Sequence, residues 1–289
     1  MGNLEGWLTD AIATEQPCWF PGLAEELIAS FWVGMASDPA TYTTADWLGL
    51  KSAALSVPIP GVATMQLELL PAHYADRFLA PSFAAASQTA PRAIAAALKR
   101  LEASGAGCAV TRLIRSVHCI KSLGPGYDCS HSEPSLPFSV FVSVPRAEPD
   151  GELRLAESLL HEAMHLQLTL IERHVALTRA DAGYGYSPWQ QQQRPLLGLV
   201  HGLYVFTAIH CWLTTLTADD TISDSDRAYA HRRLRNIDEE IAQVTALASA
   251  PGLTSFGCAF AAWLLGATGV SPNHPSDHLP HHAGVSSGR

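Results

Sequence analysis

From Glu152 to Leu177 the chain contains neither Gly nor Pro, and apolar residues recur at Leu155, Leu159, Leu166, Leu170 and Val175. That is the 3.6-residue period of a helix and not the alternation of a strand. Within it stands His161-Glu162-Ala163-Met164-His165, an HExxH motif. Residues four apart on a helix lie one turn above each other, with Cβ atoms roughly 5–6 Å apart. Two imidazoles so placed reach one metal ion at about 2.0–2.1 Å each. Glu162 leaves the same helix beside them, either as a base toward a metal-bound water or as another ligand. The competing reading is an amphipathic helix with two surface histidines, and the unbroken helical context favours the metal.

A chain of 289 residues permits one large domain or two small ones. Hydrophobic residues make up 47% and charged residues 16%, which specifies a packed globular core. A net charge of −9 argues against a nucleic-acid-binding surface. No run has the apolar length of a membrane span, and the N-terminus lacks the basic and apolar regions of a signal peptide. The cysteines at 18, 108, 119, 129, 211 and 258 form no CxxC pair. They are expected to be reduced and mostly buried in a cytoplasmic protein.

In chain order, residues 4–36 predict two short helices separated by Pro17 and Pro21. Residues 37–61, rich in Thr, Ser, Asp, Gly and Pro, predict loop with a short helix near Asp46–Ala54. Residues 77–104 predict an Ala-rich helical scaffold interrupted at Pro81 and Pro91. Ala109–Ile120 carries β-branched residues and partial alternation, the signature of a strand. A polar loop around His131 follows, and then Phe138–Val144 alternates as a short edge strand. A strand there suits a site that holds an extended peptide by strand addition, although an ordinary hairpin fits equally. After the HExxH helix, Tyr184, Tyr186 and Trp189 stand in an aromatic loop that could cover a substrate. Arg194-Pro195 then opens a second apolar helix. Residues 222–249 predict a charged amphipathic helix, and Phe256–Leu265 a last apolar one.

The expected fold is α+β. It is a predominantly α-helical single domain with a small antiparallel sheet preceding the metal-binding helix. An N-terminal helical lobe spans 1–105, the metal-binding region spans 106–265, and a disordered tail spans 266–289.

A metal needs a third protein ligand and open positions. The HExxHxxGxxH pattern is excluded, because Leu168 and Ile171 stand where its Gly and second His would be. Glu239 and Glu240 are available for a glutamate-type site, in a run of charges that reads as a solvated face. His201, on the next apolar helix with Gly202 beside it, is the best candidate. Arg194 precedes it by seven residues, about two helical turns, so the two share a face. An Arg there suits a carboxylate, with a salt bridge to Glu172 as the structural alternative.

The order Ser132-Glu133-Pro134, Leu136-Pro137, Phe141-Val142-Ser143, Leu160-His161-Glu162-Ala163-Met164-His165, Trp189, Arg194-Pro195, Gly198 and His201-Gly202-Leu203-Tyr204-Val205-Phe206 resembles the HExxH-type peptide β-hydroxylases. These are iron- and 2-oxoglutarate-dependent enzymes associated with ribosomally made, modified peptides. The resemblance covers roughly residues 110–215. It implies that His161, His165 and His201 hold Fe(II) and that Arg194 anchors 2-oxoglutarate. It also implies a ribosomal precursor peptide as substrate, with His131, Tyr184, Tyr186 and Trp189 as residues that could face it. The role of Glu162 stays open between ligand, base and supporting partner. The rivals are a glutamate-type zinc peptidase and a non-catalytic peptide-binding module.

Overall fold

A computed structural model of the protein describes residues 6–7, 9–10, 18–32, 43–49, 55–69, 89–122, 124, 126–133, 135–145 and 150–270. The helices are α1 (Pro21–Phe31), α2 (Thr44–Trp47), α3 (Ala90–Glu102), α4 (Ala106–Leu113), α5 (Gly151–Glu172), α6 (Leu196–Thr217), α7 (Asp224–Ala242) and α8 (Ser255–Thr268). The strands are β1 (Leu55–Ile59), β2 (Val62–Leu69), β3 (Ser116–Ile120), β4 (Ser130–Ser132), β5 (Ser139–Ser143), β6 (Tyr184–Ser187) and β7 (Gln192–Pro195). Helix predominates and the fold is α+β.

β1 to β5 form one sheet in the order β1-β2-β3-β5-β4. β2, β3 and β5 run parallel, while β1 and β4 are antiparallel to their neighbours. The sheet preceding the HExxH helix is therefore mixed, where an antiparallel one was expected. β5 is an interior strand, and β4 ends the sheet on that side. All five residues of β5 are buried, so its alternation separates two covered faces and not a core face from a solvent face.

The stretch expected as a strand from Ala109 divides in two. Ala106, Ala109, Val110 and Leu113 are buried at i, i+3, i+4 and i+7, which is the stripe of a helix. Gly105, at φ 81°, makes the left-handed turn that separates this helix from α3. The strand starts only at Ser116. Residues 55–61, expected to be loop, instead enter the β1–β2 hairpin, which turns at Gly61 with φ 79°. Pro91 lies in the first turn of α3, where its missing N–H removes no helical bond. The short helix expected near 46–54 is four residues ending at Trp47. The last helix continues to Thr268, beyond the expected boundary at 265. Residues 77–88, and the tail from 271 onward with its histidines, lie outside the described residues.

α5 is the axis of the structure. Fifteen of its residues are buried, from Gly151 to Ile171. One continuous apolar core joins it to Leu23 and Leu27 of α1, Leu98 and Leu101 of α3, Val140 and Val142 of β5, and Leu203 and Ile209 of α6. That core spans the expected boundary at 105. α6 has the length and hydropathy to cross a membrane, but 67% of its apolar window is buried inside the protein.

Where a polar side chain of α5 enters this core, a partner meets it. Gln167, 0% exposed, donates to the carbonyls of Trp19 and Phe20 at 3.1 and 3.3 Å. The buried Tyr204 hydroxyl donates to Gln167 Oε1 at 2.5 Å and lies 2.8 Å from the Cys18 carbonyl. These bonds tie the segment ahead of α1 to both α5 and α6. Gln167→Leu leaves the buried Trp19 carbonyl without its partner and the Tyr204 hydroxyl with the Cys18 carbonyl alone, so it should cost about 1–3 kcal/mol. Urea titration measures this, and a loss within 0.5 kcal/mol of zero, roughly the range of surface substitutions, would mean that the network does not pin the segment.

Candidate metal centre

Helical spacing brings His161 and His165 together as expected. Their Nε2 atoms are 3.1 Å apart. With metal–nitrogen bonds of about 2.0–2.1 Å, that separation corresponds to an N–metal–N angle of roughly 95–100°, close to that of adjacent octahedral positions. His201 arrives from α6. Its ring stacks on His165 with centroids 5.3 Å apart, and the two Nδ1 atoms are 3.1 Å apart. His201 Nε2 is bonded to Glu172 Oε1 at 2.9 Å. A carboxylate accepts, so this nitrogen carries the proton and Nδ1 is the donor atom left for a metal.

His165 is thus approached on both nitrogens, by His161 at Nε2 and by His201 at Nδ1. One ion meets one nitrogen of His165, so binding by all three imidazoles requires a ring to turn. Among the described residues no group of three or more His, Cys, Asp or Glu side chains converges on one metal position. The donor chemistry fits a divalent transition metal nonetheless. Burial pushes His161 down to about 4 and His165 to about 2, with the neighbouring imidazoles and Arg194 adding to the effect on His165. Both rings are held toward the neutral form, the state in which an imidazole nitrogen binds a metal.

Glu162 is 2% exposed and faces β4. Ser130 Oγ donates to its Oε1 at 2.7 Å, and Ser132 also bonds it. Burial raises the carboxyl to about 7, against the opposing effect of those serine bonds. Its Oε1 is 4.0 Å from His161 Nε2. Neither Ser130 nor Ser132 was assigned to the site from the sequence, although Ser132 opens the order of stretches that carries the resemblance. Their alternation with His131 becomes meaningful once β4 is placed.

The same alternation removes His131 from the site. Ser130, His131 and Ser132 pair with Val142, Phe141 and Val140, and paired residues share a face. The serines, with the two valines, face α5. His131 points to the opposite side of the sheet and stacks on Phe141, with centroids 4.6 Å apart and an interplanar angle of 2°. The expectation that it faces a substrate at this centre is corrected on that ground.

Arg194 also sits differently than expected. It belongs to β7, and α6 begins only at Leu196 after Pro195 at the N-cap. It extends from a hairpin and folds back over Gly198, whose added Cβ would lie 3.4 Å from Arg194 Nε, and its charge acts on His165. Its Nη1 donates to Gln190 Oε1 at 2.5 Å. The structural alternative for it, a salt bridge to Glu172, is not formed, because Glu172 holds His201. Among the described residues Arg194 has no acidic partner.

Trp189 stacks on Phe206, with centroids 5.2 Å apart at 10°, and Phe206 meets the His161 ring edge-on at 5.5 Å. Gly202 is there for this indole and not for a close helix approach. A Cβ at 202 would stand 2.5 Å from the Trp189 ring. Tyr184 and Tyr186, on one face of β6, are 73% and 49% exposed. Glu240 turns to Arg233 at 3.9 Å, and Arg233 is held by Glu157 at 2.7 Å.

Fold and site together define an α+β protein with a helix-borne histidine cluster beside an Arg without an acidic partner. Compared with sequence profiles of known families and with curated proteins, the chain matches none.

The imidazoles set a pH dependence. Their folded pKa values lie below the unfolded 6.5, so their contribution to stability is full above pH 6.5 and is lost as pH falls below it. Each contributes at most about 1.4 kcal/mol per pH unit. Glu162, raised from 4.5 to about 7, acts in the opposite sense between pH 7 and 4.5 and offsets one of the two. The metal-free protein should therefore lose stability from pH 6 to 5, and His165→Gln should flatten that slope. At pH 7, a divalent metal ion at a hundred times its Kd should stabilise by about 2.7 kcal/mol, with no such gain in His161→Ala. Denaturant titration reads both effects. Equal metal stabilisation of parent and His161→Ala would place the metal elsewhere.

Proposed function

We propose that the protein is a non-heme Fe(II)- and 2-oxoglutarate-dependent oxygenase that hydroxylates a β-carbon in a side chain of a ribosomally made peptide. The observation that carries this reading is Arg194, a guanidinium close enough to act electrostatically on His165 and, among the described residues, bonded only to the Gln190 amide. A half-exposed, permanent cation with no acidic partner among those residues is suited to a carboxylate from a ligand.

In this reading His161, His165 and His201 would hold Fe(II), and Arg194 would pair with the distal carboxylate of 2-oxoglutarate. Iron and 2-oxoglutarate, when bound, supply the oxygen-activating chemistry, and the chain supplies orientation and a dry site. Glu172 fixes the tautomer of His201 and aims its Nδ1. Trp189 and Phe206 wall one side of the site beside His161. Ser130 and Ser132 hold Glu162 back against β4 as a supporting partner. β4 ends the sheet, so an extended peptide adding to its outer edge would pass along this side of α5. Tyr184 and Tyr186 would meet that peptide from the hairpin. All six cysteines are free thiols, which supports a cytoplasmic setting.

A zinc peptidase is the second reading. Glu162 favours it, since a carboxyl near pKa 7 and 4.0 Å from His161 Nε2 suits a general base. Against it, Glu240 is engaged by Arg233. The oxygenase reading expects His201→Ala to lose the metal and Glu240→Ala to keep it, measured by metal analysis after anaerobic purification. The opposite pattern favours the peptidase.

Arg194→Gln keeps much of the side-chain length and removes the charge. A carboxylate left in the site without its partner costs roughly 2–5 kcal/mol. At about 1.4 kcal/mol per tenfold, affinity for 2-oxoglutarate should fall on the order of thirty- to several-thousand-fold, with iron content nearly unchanged. Lys should restore only part, because an ammonium has no two-pronged geometry. Anaerobic titration of iron-loaded protein with 2-oxoglutarate measures this, and parental affinity in Arg194→Gln would refute the assignment.

A further inference from the structure

Away from the histidines, two cysteines 193 positions apart in sequence bring their sulfurs within 3.4 Å. Cys18 precedes α1 and is 2% exposed, and Cys211 lies on α6 and is half-buried. We propose that Cys18 and Cys211 form an oxidisable dithiol, which a hydroperoxide converts to a disulfide that staples the N-terminal segment to α6.

The surroundings divide the work between the two thiols. Either sulfur can donate in this contact. With Cys18, the more deeply buried, as the donor, the bond and the nearby His210 lower the Cys211 pKa, toward the thiolate. The same pairing and deep burial keep Cys18 protonated. His210 is positioned by Asp238, whose Oδ1 meets its Nε2 at 3.1 Å. Cys211 is therefore the nucleophile, and its partial exposure admits a small oxidant. Its thiolate attacks one oxygen of the hydroperoxide. The O–O bond breaks, and the products are a sulfenic acid on Cys211 and an alkoxide or hydroxide that takes a proton. The Cys18 sulfur then attacks the sulfenic sulfur. The new S–S bond forms as the S–O bond breaks, and the hydroxyl leaves as water with the Cys18 proton. Two thiols are oxidised by two electrons in total, and the peroxide is reduced.

The geometry requires little movement, because the sulfurs must close from 3.4 Å to the about 2.05 Å of a disulfide. The segment that would be stapled is the one already bonded to α5 and α6 through Gln167 and Tyr204. A covalent link across so long a span restricts the unfolded chain and should raise stability. Cys108 is exposed and Cys258 half-buried, so both are internal controls for nonspecific oxidation.

The test treats the native protein with stoichiometric hydrogen peroxide, blocks remaining thiols under denaturing conditions, and maps the digest by mass spectrometry without reductant. The expected product is one cross-linked peptide pair containing Cys18 and Cys211, two hydrogens lighter than the separate peptides. The oxidised protein should melt several degrees higher than the reduced form, and reductant should reverse the shift. Cys18→Ser and Cys211→Ser should each lose the cross-link and the shift. In Cys18→Ser, trapping with a sulfenic-acid reagent should label residue 211. The parent protein alone decides the matter even if a variant folds poorly. Blocked thiols at both positions after peroxide treatment, or cross-links distributed among Cys108 and Cys258, would overturn the proposal. Metal content and 2-oxoglutarate binding take no part in this readout, so it stands or falls apart from the oxygenase reading.

Discussion

A helix buried along most of its length cannot leave polar side chains unsatisfied, and α5 carries several. Glu162 is met by Ser130 and Ser132 from β4. Gln167 is met by Tyr204 and by carbonyls of the N-terminal segment. Glu172, at the last turn, takes His201 from α6. An unpaired buried polar group costs about 1–3 kcal/mol, so these bonds dictate which elements can pack on α5 and in what register. The histidine cluster is a by-product of this constraint and then its most useful consequence. Low polarity around His161 and His165 keeps them neutral, which is the state in which an imidazole binds metal.

The site is asymmetric in a way that follows from its three sources. α5 contributes rigid donors on one helix face. α6 contributes His201, oriented by a carboxylate that belongs to α5. The β6–β7 hairpin contributes Arg194 and the Trp189 wall. The hairpin is itself fixed on α6, since Trp189 packs against the core and fits over Gly202.

A second polar layer lies across the sheet from α5. Glu68, His118, Phe141 and His131 occupy one rung of β2, β3, β5 and β4. Phe141 is stacked between the imidazoles of His118 and His131. Thr44 of α2 bonds His118, Ser139 and Ser116 there. Burial lowers His118 to about 3 and raises Glu68, so both are held toward their neutral forms. Polar residues on this one face of β3 and β5, opposite Val117, Val140 and Val142 on the α5 side, explain why neither strand shows the uninterrupted apolar pattern of buried parallel strands.

The predominance of helix, the presence of α5 and α6, and the meeting of His161 with His165 were determined by local spacing, which the chain carries in itself: a period of 3.6 places residues four apart on one face in any surroundings. The ends were not: α5 stops at Glu172, short of the expected Leu177. The candidate third histidine was also legible, from its place on an apolar helix. The tertiary structure alone decided which way His131 points, because a strand's two faces are equivalent until its partner's register is set. It alone showed that Ala109–Leu113 is helix, since β-branched residues in a short run fit either period until burial selects one. It put Arg194 on a strand and not on the helix. It also gave Gly202 to Trp189, Glu172 to His201 and Cys18 to Cys211, pairings between segments whose separation in sequence leaves no periodic trace.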